Sequence, residues 1–130
     1  MLGAIALLGG SLGVGSQAVQ ARPQPAAPVA VANNPATLAL AKHLQKIGAK
    51  MYGAYWCPHC ERQTKLFGTA FQAIDYVECD PRGKKPRPQL CKAAKIQGYP
   101  TWEIKGKLYP GVRSLEELAK TSGYSGKNDF

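Results

Sequence analysis

The tetrapeptide Cys57-Pro58-His59-Cys60, set directly behind the apolar run Lys50-Met51-Tyr52-Gly53-Ala54-Tyr55-Trp56, constrains this chain more than any other feature. The run reads as a buried strand. Pro58 suits the first position of a helix, where its fixed φ fits and its missing N–H costs nothing. Two thiols three positions apart at a helix start can close into a small ring and reopen. Strand, Cys-x-x-Cys, helix is the setting in which such a pair works as a thiol–disulfide redox centre.

The attacking species in disulfide exchange is the thiolate. Unpaired N–H groups and the macrodipole at a helix N-terminus favour negative charge there. Cys57 occupies that position and Cys60 lies one turn in. The expectation is therefore an exposed nucleophile at Cys57 and a buried resolving thiol at Cys60. His59 adds positive charge or a donor beside the Cys57 sulfur. A stabilised thiolate is a good leaving group and makes the disulfide a stronger oxidant, so the motif points toward donating disulfides. The redox-active disulfide itself does the chemistry and no dissociable cofactor is needed. Two metal readings compete. A four-thiolate zinc site would recruit Cys79 and Cys91, but eleven residues separate that pair where two to four are usual. A soft-metal module would hold Cu(I) on Cys57 and Cys60, with no Met-rich stretch to support it.

Cys79 and Cys91 suggest a second pairing. As a structural bridge they would close a proline- and lysine-rich loop, worth ~3 kcal/mol on a loop-entropy account. As a second redox pair they would relay electrons to or from Cys57 and Cys60. Tyr99-Pro100-Thr101 is the other candidate element. Pro100 directly precedes a strand, and a cis bond there would turn the chain toward the Cys57 loop, leaving neighbouring backbone free to pair with an incoming peptide. An ordinary turn proline is the plain alternative. Trp56 is placed to shield the disulfide and offer apolar surface to substrates, whereas Trp102, inside a strand, belongs to the core.

The 130 residues suffice for one small domain. Residues 1–21 carry no charge and read as a signal peptide or a membrane anchor. Val19-Gln20-Ala21 offers small residues for cleavage, but no Lys or Arg precedes the apolar stretch. Either reading delivers the domain to a non-cytosolic side and allows membrane association through 1–21. A proline-rich linker (22–35) follows, then the domain (36–124) and a polar, frayed tail (125–130). The net charge of +9 gathers at Arg82, Lys84, Lys85, Arg87, Lys92 and Lys95. A solvated loop and helix face is the preferred reading, with attraction to acidic partners or lipid headgroups as the other. No recognition motif supports nucleic-acid binding.

Helical spacing predicts a first helix over 36–47, with His43 as an exposed residue, and strands over 51–56 and 73–79. It predicts further helices over 57–71, with Leu66, Phe67 and Phe71 toward the core, and over 89–96. A hairpin joins 101–104 to 108–109 across Lys105-Gly106. Ser114 and Glu117 form a capping box for a last helix ending at Gly123. After the first helix the order is β-α-β-α-β-β-α. A right-handed βαβ unit makes the first two strands parallel and the hairpin adds two antiparallel ones. The expected fold is α/β and thioredoxin-like: a mixed four-stranded sheet with an extra N-terminal helix.

Tyr52 through Cys60, Leu66-Phe67-Gly68, Tyr76-Val77-Glu78-Cys79, Tyr99-Pro100-Thr101-Trp102 and Gly111-Val112-Arg113-Ser114-Leu115 together resemble the thioredoxin-like domain fused to bacterial and plant-type vitamin K epoxide reductase homologues. The resemblance covers roughly 50–124, and the Cys-Pro-His-Cys motif is also similar to that of periplasmic DsbA oxidants. It implies Cys57 and Cys60 as the active pair, Pro100 as the cis-proline beside them, and Cys79–Cys91 as an additional disulfide. It further implies oxidation of secreted or lumenal protein thiols, in a periplasm or thylakoid lumen, with oxidising equivalents drawn from a quinone through a membrane partner. The four-helix membrane domain has no counterpart in these residues, so a separate membrane oxidase, or a longer protein of which this is a fragment, would recharge the pair. Typical thioredoxins also carry a buried acid six residues before the first cysteine. Met51 stands there, so proton handling must differ and fast reductase activity is not expected.

Overall fold

The computed structural model describes residues 34–130, together with isolated glycines at 3, 9, 10, 13 and 15. Those glycines apart, the stretch read as a signal peptide or anchor and the linker up to residue 33 lie outside the described residues. Among the described residues no helix is long and apolar enough to cross a membrane.

Asn34 caps the first helix, α1 (Pro35–Lys46), its side chain accepting from the Ala36 and Thr37 N–H groups. Strand β1 (Lys50–Gly53) is shorter than expected because Tyr55 and Trp56 leave the sheet in an exposed turn. Helix α2 (Pro58–Phe67) ends at Gly68, whose φ of 58° halts the helix, and a six-residue 3-10 turn (Gly68–Ala73) continues where one long helix was expected. Then come β2 (Asp75–Glu78), α3 (Pro88–Ala93), β3 (Thr101–Ile104), β4 (Lys107–Pro110) and α4 (Leu115–Ser122). Lys105 and Gly106 both take positive φ, the geometry of a tight two-residue hairpin turn. Both halves of the Ser114–Glu117 capping box are present.

The sheet order is β2-β1-β3-β4, with β1 parallel to β2 and antiparallel to β3, and β3 antiparallel to β4. This is the thioredoxin-like arrangement, α/β with a mixed four-stranded sheet. Alternation along β1 divides the core between two faces. Met51 joins Leu40, Leu44, Phe67, Trp102 and Leu118 beneath α1, α2 and α4. Tyr52 joins Val77, Cys79 and Cys91 beneath α3.

Three further expectations need correction. Leu66 is 37% exposed, because the buried face of α2 is Cys60, Gln63 and Phe67, spaced three and four apart. His43 is half-buried: its Nε2–H donates to the Ser122 carbonyl at 2.9 Å and its ring lies against Tyr124, tying α1 to α4. The tail is not frayed. Asn34 Nδ2 donates to the Asp129 carbonyl at 2.9 Å, and Phe130 packs on the main core beside Tyr124.

Candidate active site

Strand β1 and the Ala54–Trp56 turn carry the chain to Cys57, which caps α2. Its Sγ accepts the Cys60 N–H at 3.3 Å, so one orphan donor of the helix start is spent on sulfur. Both Cys57 and Cys60 are free thiols. Cys57 is not the exposed sulfur expected: it is 6% exposed against 4% for Cys60. Position on the helix rather than exposure separates the two. Pro58 and His59 occupy the exposed first turn beside them.

The Tyr99–Pro100 bond is cis. The Tyr99 carbonyl stands 3.7 Å from Cys57 Sγ, whose thiol donates to it. Thr101 begins β3, its hydroxyl donating to the Gly98 carbonyl at 2.7 Å. Trp56 stands 54% exposed beside Tyr55, its ring edge-on to Tyr99 and its indole N–H donating to Asp80 at 2.8 Å. Cys57, Cys60, Trp56, Tyr99, Pro100 and Thr101 thus lie where the α2 start meets the β3 start. Trp102 is fully buried as expected.

Cys79 and Cys91 are bonded to each other, linking the end of β2 to α3 in the second core cluster. That bond removes them as zinc ligands, and among the described residues no group of three or more His, Cys, Asp or Glu could hold a metal. The basic segment is partly neutralised locally. Arg82 forms a forked pair with Asp80, and Arg87 pairs with Asp75 at 2.6 Å.

Over 101 residues the chain is 46% identical to a thiol-disulfide oxidoreductase, LTO1, of Arabidopsis thaliana. The similarity is to a redox protein of thiols. The alignment takes in 75% of this chain and 27% of that relative, so the chain spans well under half of the relative's length. No protein-family model matches the chain.

The environment of Cys60 differs sharply from solution. Burial first, then its hydrogen bond with Cys57, and the nearby Cys57 and Glu78 charges, push its thiol up to about 12 from an ordinary value of 9.0. A folded state that holds its proton more tightly gains stability present in full below about pH 9 and lost between about 9 and 12. Reduced wild-type protein should therefore lose stability faster than reduced Cys60→Ser as pH rises through that window. Denaturant midpoints of the two, measured side by side, check this; parallel curves would refute it.

Sequence reasoning missed three residues here. Gln63 is fully buried and bonds Trp102 and Arg113. A polar residue on the apolar face of α2 was the available signal. Tyr76 and Glu78 lie behind Cys60, and nothing local in β2 announces that, because a parallel pairing places them there.

Proposed function

We propose that the chain is a protein thiol–disulfide oxidoreductase acting through Cys57 and Cys60, and that it works as an oxidant of exported or lumenal protein thiols. The observation that carries this reading is the sulfur of Cys57 capping α2 while lying against the Tyr99 carbonyl at the cis-proline. An incoming thiolate attacks Cys57 in the closed ring and Cys60 leaves. A second substrate thiol then displaces Cys57 and carries the disulfide away, leaving both protein thiols reduced. Exposed Tyr55 and Trp56 offer apolar surface to the substrate, and the half-buried Tyr99 is the backbone its chain would meet, since Pro100 and Thr101 are buried, the Pro100 carbonyl accepts the Gly111 N–H and Thr101 lies between Tyr52 and Pro110 in the sheet. The similarity to a named thiol-disulfide oxidoreductase supports the chemistry. The Cys-Pro-His-Cys motif supports the oxidising direction.

Recharging falls to a membrane quinone reductase of the vitamin K epoxide reductase kind, reached at a periplasmic or lumenal surface. Cys79–Cys91 serves as a structural clamp on the β2–α3 loop, since both sulfurs are buried in an apolar cluster.

Equilibrated in glutathione buffers, the Cys57–Cys60 pair should titrate well above the roughly −270 mV of thioredoxin. A value at or below that figure would turn the reading to a reductase or isomerase fed with electrons from across the membrane. Stoichiometric zinc or copper after anaerobic purification would turn it to a metal-binding module.

A further inference from the structure

Every opening or closing of the Cys57–Cys60 ring must put a proton on Cys60 or take one off, yet that residue is only 4% exposed. On the exchange reading, that proton needs a path through the protein. Gly53 supplies the first observation. A Cβ at that position would stand 3.0 Å from Cys60 Sγ, 2.9 Å from Tyr76 Cε2 and 3.3 Å from Tyr76 Oη. The sulfur and the phenol therefore converge on one point, which only a residue without a side chain leaves open. The parallel register, Met51 with Tyr76 and Gly53 with Glu78, sets this up. Tyr76 and Glu78, two apart on β2, share a face of the strand.

The second observation is the bond from Tyr76 Oη to Glu78 Oε2, at 2.9 Å. Glu78 is 3% exposed, and its other oxygen accepts the Asp80 N–H at 2.9 Å. Gly83 packs straight onto it: a Cβ there would fall 2.5 Å from Glu78 Cδ. Third, Tyr76 and Glu78 together line a surface cleft of about 450 Å³, shared with Tyr55, Arg82, Gly83 and Lys84. The carboxyl thus borders Cys60 through Tyr76 on one side and the cleft on the other.

We propose that Tyr76 and Glu78 form the proton relay of Cys60. When a substrate thiolate opens the ring, Cys60 departs with the electron pair of the broken S–S bond and takes the phenolic proton of Tyr76. Water in the cleft first protonates Glu78, and Glu78 passes that proton to the Tyr76 oxygen as the phenol gives up its own, so hydroxide is left in the cleft. When Cys60 instead attacks a mixed disulfide, the proton runs outward. Its electron pair forms the new bond to Cys57 as the substrate sulfur leaves with the old one. Tyr76 meets Cys60 across the space left open at Gly53, and Glu78 acts through Tyr76. Burial, and then the Glu78 hydrogen bond and charge, push the Tyr76 phenol far up, so it bridges as a neutral hydroxyl. The charged and titratable groups around the relay are Cys57 on α2, Asp80 with its Arg82 partner, and Tyr55 and Lys84 on the cleft wall.

The test mixes the reduced 130-residue chain with dithiobis(nitrobenzoate), an aromatic disulfide whose released thiolate is coloured. Attack by Cys57 releases one equivalent, and attack by Cys60 on the resulting mixed disulfide releases the second. In Glu78→Gln and Tyr76→Phe, the second phase should slow by about tenfold or more relative to the first near pH 7, as general-base losses do. The deficit should shrink as pH rises and hydroxide takes the proton directly, and added imidazole should restore part of it. Tyr76→Phe keeps the ring contact with Phe71, and circular dichroism confirms folding of both variants. An unchanged second phase in both folded variants, or a deficit that ignores pH, overturns the relay while leaving the exchange reading intact. A wild-type chain that never shows a second phase overturns the exchange reading and the relay with it.

Discussion

Replacing Cys57 by Ala is expected to reduce disulfide exchange with a peptide disulfide to below about a thousandth of wild type, because under the proposed assignment the loss removes the nucleophile rather than weakening it. Cys60→Ala should fail differently. Cys57 still attacks the peptide disulfide and forms a mixed disulfide, but no second thiol resolves it. A covalent adduct, cleared by dithiothreitol, should therefore accumulate in Cys60→Ala and be absent in Cys57→Ala. Gel shifts and mass spectrometry read both outcomes. The asymmetry tests the assignment, since exposure does not distinguish the sulfurs: both are nearly covered. What distinguishes them is that Cys57 caps α2 and touches the Tyr99 carbonyl, while Cys60 is raised by burial. Adducts through Cys60 instead would reverse the roles.

The second large effect lies in the support of the site. Gln63 Oε1 accepts from Trp102 Nε1 at 3.0 Å and from the Arg113 N–H at 2.8 Å, and its Nε2 donates to the Arg113 carbonyl at 3.0 Å. One fully buried amide joins α2, β3 and the approach to α4. Gln63→Leu keeps the volume but strands the indole N–H of a fully buried Trp102 and unties two backbone groups. The expected cost is about 3 kcal/mol, at the upper end for a buried donor left without a partner. For a domain of this size that lowers Tm by about 15 °C. Adding Trp102→Phe removes the stranded donor, so the double variant should lose clearly less than the two single losses combined. A Gln63→Leu loss below about 1 kcal/mol would show the amide to be dispensable.

The sequence carried the fold wherever the signal was local. The Asn34 and Ser114 caps, the Lys105-Gly106 turn and the Cys-Pro-His-Cys helix start each announced an element, and the element order fixed the strand directions. The strand ends were less legible: Tyr55 and Trp56 look like strand residues, yet they form an exposed turn. The candidate site divides in the same way. Cys57, Cys60, Pro100 and the Cys79–Cys91 pair carried chemical signatures. Cys57's cover was missed, because burial by the Tyr99 segment depends on a chain reversal more than forty residues away. Gln63, Tyr76 and Glu78 owe their places to packing across the sheet and between helix and strand, which no neighbour in sequence reports.

The bond between the Asn34 side chain and the Asp129 carbonyl has a mechanical corollary. Entry to α1 and the last residues of the chain share one corner of the domain, as chain ends often do. A membrane tether or a neighbouring protein joined at either end would swing this domain about a single pivot. How far the reactive sulfur can roam would then depend on the length of the tether rather than on which end carries it.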